Sequence, residues 1–109
     1  MAEALKILGQ AAPAAVTLSP LYTVPAATQT AVSTLQVCNR ENVSATFRIA
    51  VAVAGAADAI AQYLYYDALV PANTSVSITI GITLASTDVV RVQASSSNLS
   101  FNLFGVEVS

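Results

Sequence analysis

From Val76 to Leu84 apolar and small polar residues alternate without a break. Val76, Ile78, Ile80, Ile82 and Leu84 share one parity; Ser77, Thr79, Gly81 and Thr83 share the other. Strand side chains alternate faces with a period of two, so this stretch predicts a strand with one face on a core. A helix would scatter the same residues around its circumference, and β-branched residues lose rotamer freedom there. A strand buried on one face needs neighbours, and the rest of the chain supplies them.

Phe47, Ile49, Val51 and Val53 alternate with Arg48, Ala50, Ala52 and Ala54, which predicts a strand with a flat alanine face opposite the core. Val90, Val92 and Ala94 alternate with Arg91, Gln93 and Ser95. Thr30–Asn39 and Gln62–Asp67 are further strands, the latter carrying three of the four tyrosines. Pro20–Pro25 reads as a short strand at a sheet edge or corner, because proline cannot donate to a ladder. In Leu99–Val108 the apolar residues change parity, from Leu99, Phe101 and Leu103 to Phe104, Val106 and Val108. A β-bulge at Leu103–Gly105 would return both halves to one face. About eight short strands, spaced by polar turns, predict an all-β antiparallel β-sandwich of jelly-roll-like type. Its expected core is Phe47, Ile49, Val51, Ile78, Ile80, Val90, Val92 and Phe101. The sandwich is assigned to residues 20–109. Residues 1–19 are assigned to an N-terminal arm, weakly patterned but carrying Leu5, Ile7 and Leu8, which need cover.

Charge bounds the function. Only 9% of the 109 residues are charged, against about 25% in an average domain, while 55% are hydrophobic. A surface so poor in charge is dressed in Ser, Thr, Asn and Gln, or is covered by partners. The net charge of −2 and four scattered basic residues argue against nucleic acid. One cysteine and no histidine argue against zinc, copper and Cys-His or Ser-His catalysis. The six carboxylates mostly sit at turns or termini, where they are ordinary punctuation. No catalytic, metal or cofactor site is therefore assigned, and the chain reads as a non-enzyme. The longest apolar run, Ile49–Ala57, is too short for a membrane span.

What remains is association. Leu5, Ile7, Leu8, the alanine face with Ala50 and Ala52, and the tyrosines Tyr63 and Tyr65 are candidate interface residues, because small flat faces and aromatic rings suit subunit contacts. Arg48 and Arg91 lie mid-strand opposite the core and are candidates for inter-subunit ion pairs. Stacking of Tyr63, Tyr65 and Tyr66 on sugar rings is the alternative. A homo-oligomer, a trimer before a dimer, is expected.

Leu21-Tyr-Thr-Val-Pro25, Val37-Cys-Asn-Arg40, Tyr63-Leu-Tyr-Tyr-Asp67, Asp88–Ala94 and Leu99–Gly105 together carry a resemblance, running from about Lys6 to the end. The chain resembles small all-β virion structural proteins of tailed bacteriophages. That resemblance implies a capsid decoration, or cement, protein on the particle exterior, with the major capsid protein or other virion proteins as partners. It also allows a neck or tail appendage module that binds a receptor or glycan. It carries over no functional residue.

Overall fold

Strand formation follows the alternation of the sequence almost throughout. The computed structural model describes residues 2–109, with nine strands among them: β1 (Glu3–Ala11), β2 (Ser19–Thr23), β3 (Gln29–Asn39), β4 (Ala45–Ala52), β5 (Tyr63–Val70), β6 (Ser75–Ile78), β7 (Ile82–Leu84), β8 (Val89–Ala94) and β9 (Leu99–Val108). All pair antiparallel. One sheet has the order β1-β9-β3-β6, with β7 pairing β3 beyond β6; the other runs β2-β8-β4-β5. Ribbon pairings explain this order. β4 pairs β5, β3 pairs β6 and β7, β2 pairs β8 and β1 pairs β9. The chain is thus a double-stranded ribbon wound over itself, which is the jelly-roll form of a sandwich.

The winding corrects the expected arm. Residues 3–11 do not lie outside the sandwich but pair with β9 from Glu3↔Val108 to Ala11↔Phe101. The termini close on each other, with Ala2 N–H donating to the Ser109 carbonyl and Ser109 N–H to the Ala2 carbonyl, both at 2.8 Å. Local pattern could not show this, because the partner lies at the opposite end of the chain. β2, with Pro20 inside it and Pro25 just beyond its end, does stand at a sheet edge.

Between the sheets, Leu35, Val37, Leu99, Phe101 and Leu103 meet Phe47, Ile49, Val70, Val90 and Val92, all at most 2% exposed. Each such side chain stabilises the fold by about 1.5–3 kcal/mol relative to leaving it in water. The Phe47 and Phe101 rings meet edge to face across the layers, centroids 6.2 Å apart. Ile78 is buried as expected; Val51 and Ile80 are only partly buried, packed against the same cluster.

Two details of register depart from the sequence reading. The Val76–Leu84 run is two strands, broken around Gly81 at φ +58°. Its parity nevertheless holds: Val76 opposes Val37, Ile78 Leu35, Ile82 Val32 and Leu84 Thr30. The break faces a bulge in β3, where Ser33 is the extra residue and its carbonyl accepts from Ile80 N–H at 3.1 Å. The second departure is β9, which has no bulge of its own. Leu99, Phe101, Leu103 and Gly105 are buried in strict alternation, and the extra residues belong to its neighbours, Leu8 in β1 and Ser33 in β3. Leu8 is thereby turned inward and buried. Gly105 is required here, since a Cβ would stand 2.3 Å from the Ala31 carbonyl oxygen. Phe104, Val106 and Val108 consequently face outward.

Polar groups close the sandwich at both ends. At one end the Tyr22 hydroxyl donates to Glu107 Oε2 at 2.5 Å and lies 2.8 Å from Thr30 Oγ1, while Lys6 Nζ lies 3.0 Å from Glu107 Oε1. Burial and then the Glu107 hydrogen bond push the Tyr22 hydroxyl up to about 12, and the Tyr22 and Lys6 donors hold Glu107 below the usual carboxylate range. At the other end buried Asn39 donates to the Val43, Val70 and Pro71 carbonyls and accepts from Glu41 N–H.

Candidate interaction surface

The outward half of β9 and the first strand create one face. Cross-strand rows place Glu3 beside Val108 and Gln29, Leu5 beside Val106, Ala31 and Thr83, and Ile7 beside Phe104 and Thr34. Opposed residues of paired strands share a sheet face, so Leu5, Ile7, Phe104, Val106, Val108 and Ala31 form one apolar block. Leu5 is 85% exposed and Ile7 52%. A groove among Gln29, Ala31, Thr83 and Val108 continues the block toward β7. An antiparallel sheet that meets water ordinarily presents polar side chains on its outer face. This one presents Leu, Ile, Phe and Val.

The second sheet treats its outer side differently. Ala50 and Ala52, expected at a subunit contact, are fully buried by their own chain. The covering segment is 53–62, two short 3₁₀ turns between β4 and β5. Arg91 fastens it, donating to the Ala56 carbonyl at 2.8 Å and the Gly55 carbonyl at 3.2 Å. Asp88 fastens it again by accepting from Ala54 N–H at 2.9 Å. The flat alanines therefore serve close approach within the chain, and Arg91 donates to carbonyls of its own chain.

Arg48 is likewise partnered at home. Its Nε donates to Asp67 Oδ1 at 2.7 Å and Nη2 to Oδ2 at 3.3 Å. Asp67 raises the guanidinium and is itself held below the ordinary carboxylate range. The guanidinium also lies over the Tyr66 ring, 3.9 Å from its centroid. Tyr63 meets Tyr66 edge on at 5.2 Å and donates from its hydroxyl to Asp58 Oδ2 at 3.2 Å. Burial and then that hydrogen bond raise the Tyr63 hydroxyl. Tyr65 instead turns to the core side and packs on Phe47.

The expected interface residues therefore separate into groups. Leu5 and Ile7 stand together on the outside of the first sheet. Arg48 and Tyr63 stand together on the outside of the second. Leu8, Ala50 and Ala52 are buried, and Tyr65 and Arg91 are engaged internally. Tyr66, one of the three clustered tyrosines, belongs to these surfaces, as do Phe104, Val106 and Asp67, which were not among the expected residues. Phe104 and Val106 were signalled by the parity change in β9, which marks two apolar faces as readily as a bulge. Asp67 gave no local signal, because it meets Arg48 through a bulge in β5 where its φ is +56°.

Among the described residues no group of three His, Cys, Asp or Glu could hold a metal ion, and no helix is long and apolar enough to cross a membrane. No family model and no curated protein matches the chain.

Proposed function

We propose that this protein is a homo-oligomeric structural component of a phage particle, most simply a capsid decoration protein, which associates through the outer face of its first sheet. The observation that carries the association is the block of Leu5, Ile7, Phe104 and Val106, with Leu5 85% exposed. With strands about 4.8 Å apart and same-face residues about 6.8 Å apart, three rows on four strands cover roughly 400 Å². A standard interface takes about 800 Å² from each partner. The block is thus the apolar centre of a contact, and Glu3, Gln29, Thr34 and Thr83 belong to its polar rim. The virion rests on the sequence resemblance, and the low charge of the chain agrees with a surface that is largely covered.

A trimer is the proposed state. A closed trimer uses two different patches, head to tail, whereas face on face gives a two-fold dimer. The exposed Leu64 and Leu69 of edge strand β5 are the second patch. Sedimentation at micromolar concentration should give a trimer, and the double variant Leu5→Asp/Val106→Asp a folded monomer. A wild-type monomer would sink the self-association. Counting copies in purified particles tests the virion role: hundreds of copies mean decoration, tens or fewer mean a neck or tail appendage, and none removes the virion altogether.

A further inference from the structure

We propose that the outer face of the second sheet carries a binding site for a neutral saccharide, centred on Arg48, Asp67 and Gln93 and flanked by Tyr66. The site lies on the opposite side of the sandwich from the Leu5–Val106 block and adjoins the second patch on β5, where Leu69 opposes Thr46. A small groove of about 130 Å³ is lined there by Val16, Thr46, Arg48, Asp67, Gln93 and Ser95. Pockets for drug-sized molecules run to about 300–1,000 Å³, so this one admits the edge of a single sugar ring.

The lining has the chemistry a sugar edge needs. Neighbouring hydroxyls are matched by planar side chains that present donors and acceptors side by side. Arg48 uses two of its five N–H groups on Asp67, and the other three have no partner among the described residues. The Gln93 amide and the Thr46 hydroxyl make no hydrogen bond within the described residues either, although Thr46 N–H donates to Ser95 Oγ at 2.9 Å. These groups converge on one groove because Arg48 and Gln93 are directly opposed on β4 and β8.

Next to them is an aromatic surface. Tyr66 is 60% exposed, with the Arg48 guanidinium over one face of its ring and the Tyr63 ring perpendicular to it, which leaves the uncovered part of the ring to a ligand. Sugar rings carry C–H faces that pack on such rings while their hydroxyls reach polar neighbours. The clamped guanidinium and ring have little rotamer freedom left to lose on binding. Charge sets the class of sugar. Arg48 and Asp67 neutralise each other, and Asp58 beside Tyr63 adds a negative charge, so an acidic sugar is disfavoured.

The test is an amide-resolved NMR titration of the full chain with the methyl α-pyranosides of glucose, mannose and galactose, with N-acetylglucosamine, and with glucuronate as the acidic comparison. Each is taken to about 50 mM, enough to populate a millimolar complex. At least one neutral sugar should shift Thr46, Arg48, Asp67, Gln93 and Ser95, more strongly than glucuronate does. Gln93→Ala and Tyr66→Ala, both surface changes, should each weaken that binding about tenfold. Absence of shifts with every sugar overturns the site. So do shifts confined to other residues, shifts that persist in both variants, or tighter binding of glucuronate.

Discussion

The two outer faces of the sandwich meet the same difficulty in different ways. Each sheet carries apolar residues on the side away from the core. Where β4 pairs β8 in the second sheet these are small, Ala50 and Ala52 beside Val89, and the chain lays its own 53–62 segment over them, fastened by Arg91 and Asp88. On the first sheet they are large, Leu5, Ile7, Phe104 and Val106, and the described chain provides no segment to cover them. Side-chain size accounts for the difference. Backbone can settle directly on alanine, whereas a ridge of Leu, Ile and Phe needs complementary side chains. The cover itself exposes Val53 and Ile60, yet isolated apolar residues at a surface are ordinary, whereas a contiguous block marks a contact.

The comparison can be broken from beneath. Phe101 is fully buried under both faces, and Phe101→Ala should cost about 3–5 kcal/mol in chemical denaturation and loosen both sheets together. A loss well under 1 kcal/mol would mean that the sheets do not share one core. Removing the clasp sharpens the contrast. Arg91→Ala takes away two hydrogen bonds to the covering segment and should cost about 1 kcal/mol. Hydrogen exchange should quicken at the amides of residues 53–62 and leave β1 and β9 unchanged; equal quickening in both sheets would contradict the local role of the clasp.

Titration should separate the two faces again. Glu107 is depressed in the folded protein, so its contribution is present above the ordinary carboxylate range and is lost as pH falls below about 4.3 through its lowered value. Tyr22 is raised from 10.0 to about 12, so its contribution is complete below pH 10 and is lost as pH rises from 10 toward 12. Both groups lie beneath the end of the first sheet that carries Leu5 and Val106. Asp67, lowered by Arg48 of β4, is about half exposed and screened by water, so exchange at β1 and β9 should respond to acid before exchange at β4 and β8, and Tyr22→Phe should weaken both pH responses. A response that begins in β4 and β8 would place the sensitive groups elsewhere. The smallest effect concerns the uncovered face. Leu5→Asp should change the stability of the monomer by no more than about 0.5 kcal/mol, because that side chain has little intramolecular contact to lose. A larger loss would show that the face is held within the chain after all.

Alternation along the chain was sufficient for the fold class and most of the core. Phe47, Ile49, Val90, Val92 and Phe101 are buried because side-chain parity in a strand is a local property that burial then selects. The same rule kept Val76, Ile78, Ile82 and Leu84 on the core side even where the strand breaks at Gly81. Partners at long range were not legible. That β1 would lie beside β9, that Leu8 and Ser33 would be the bulged residues in place of a bulge in β9, and that Asp67 would meet Arg48 all depend on which strands become neighbours. The sequence by itself therefore determined the two-faced strands, the poverty of charge and the absence of histidine. Only the tertiary structure decided which apolar residues the protein covers for itself and which it leaves on its surface, because cover is a relation between segments and no periodicity along one strand records it.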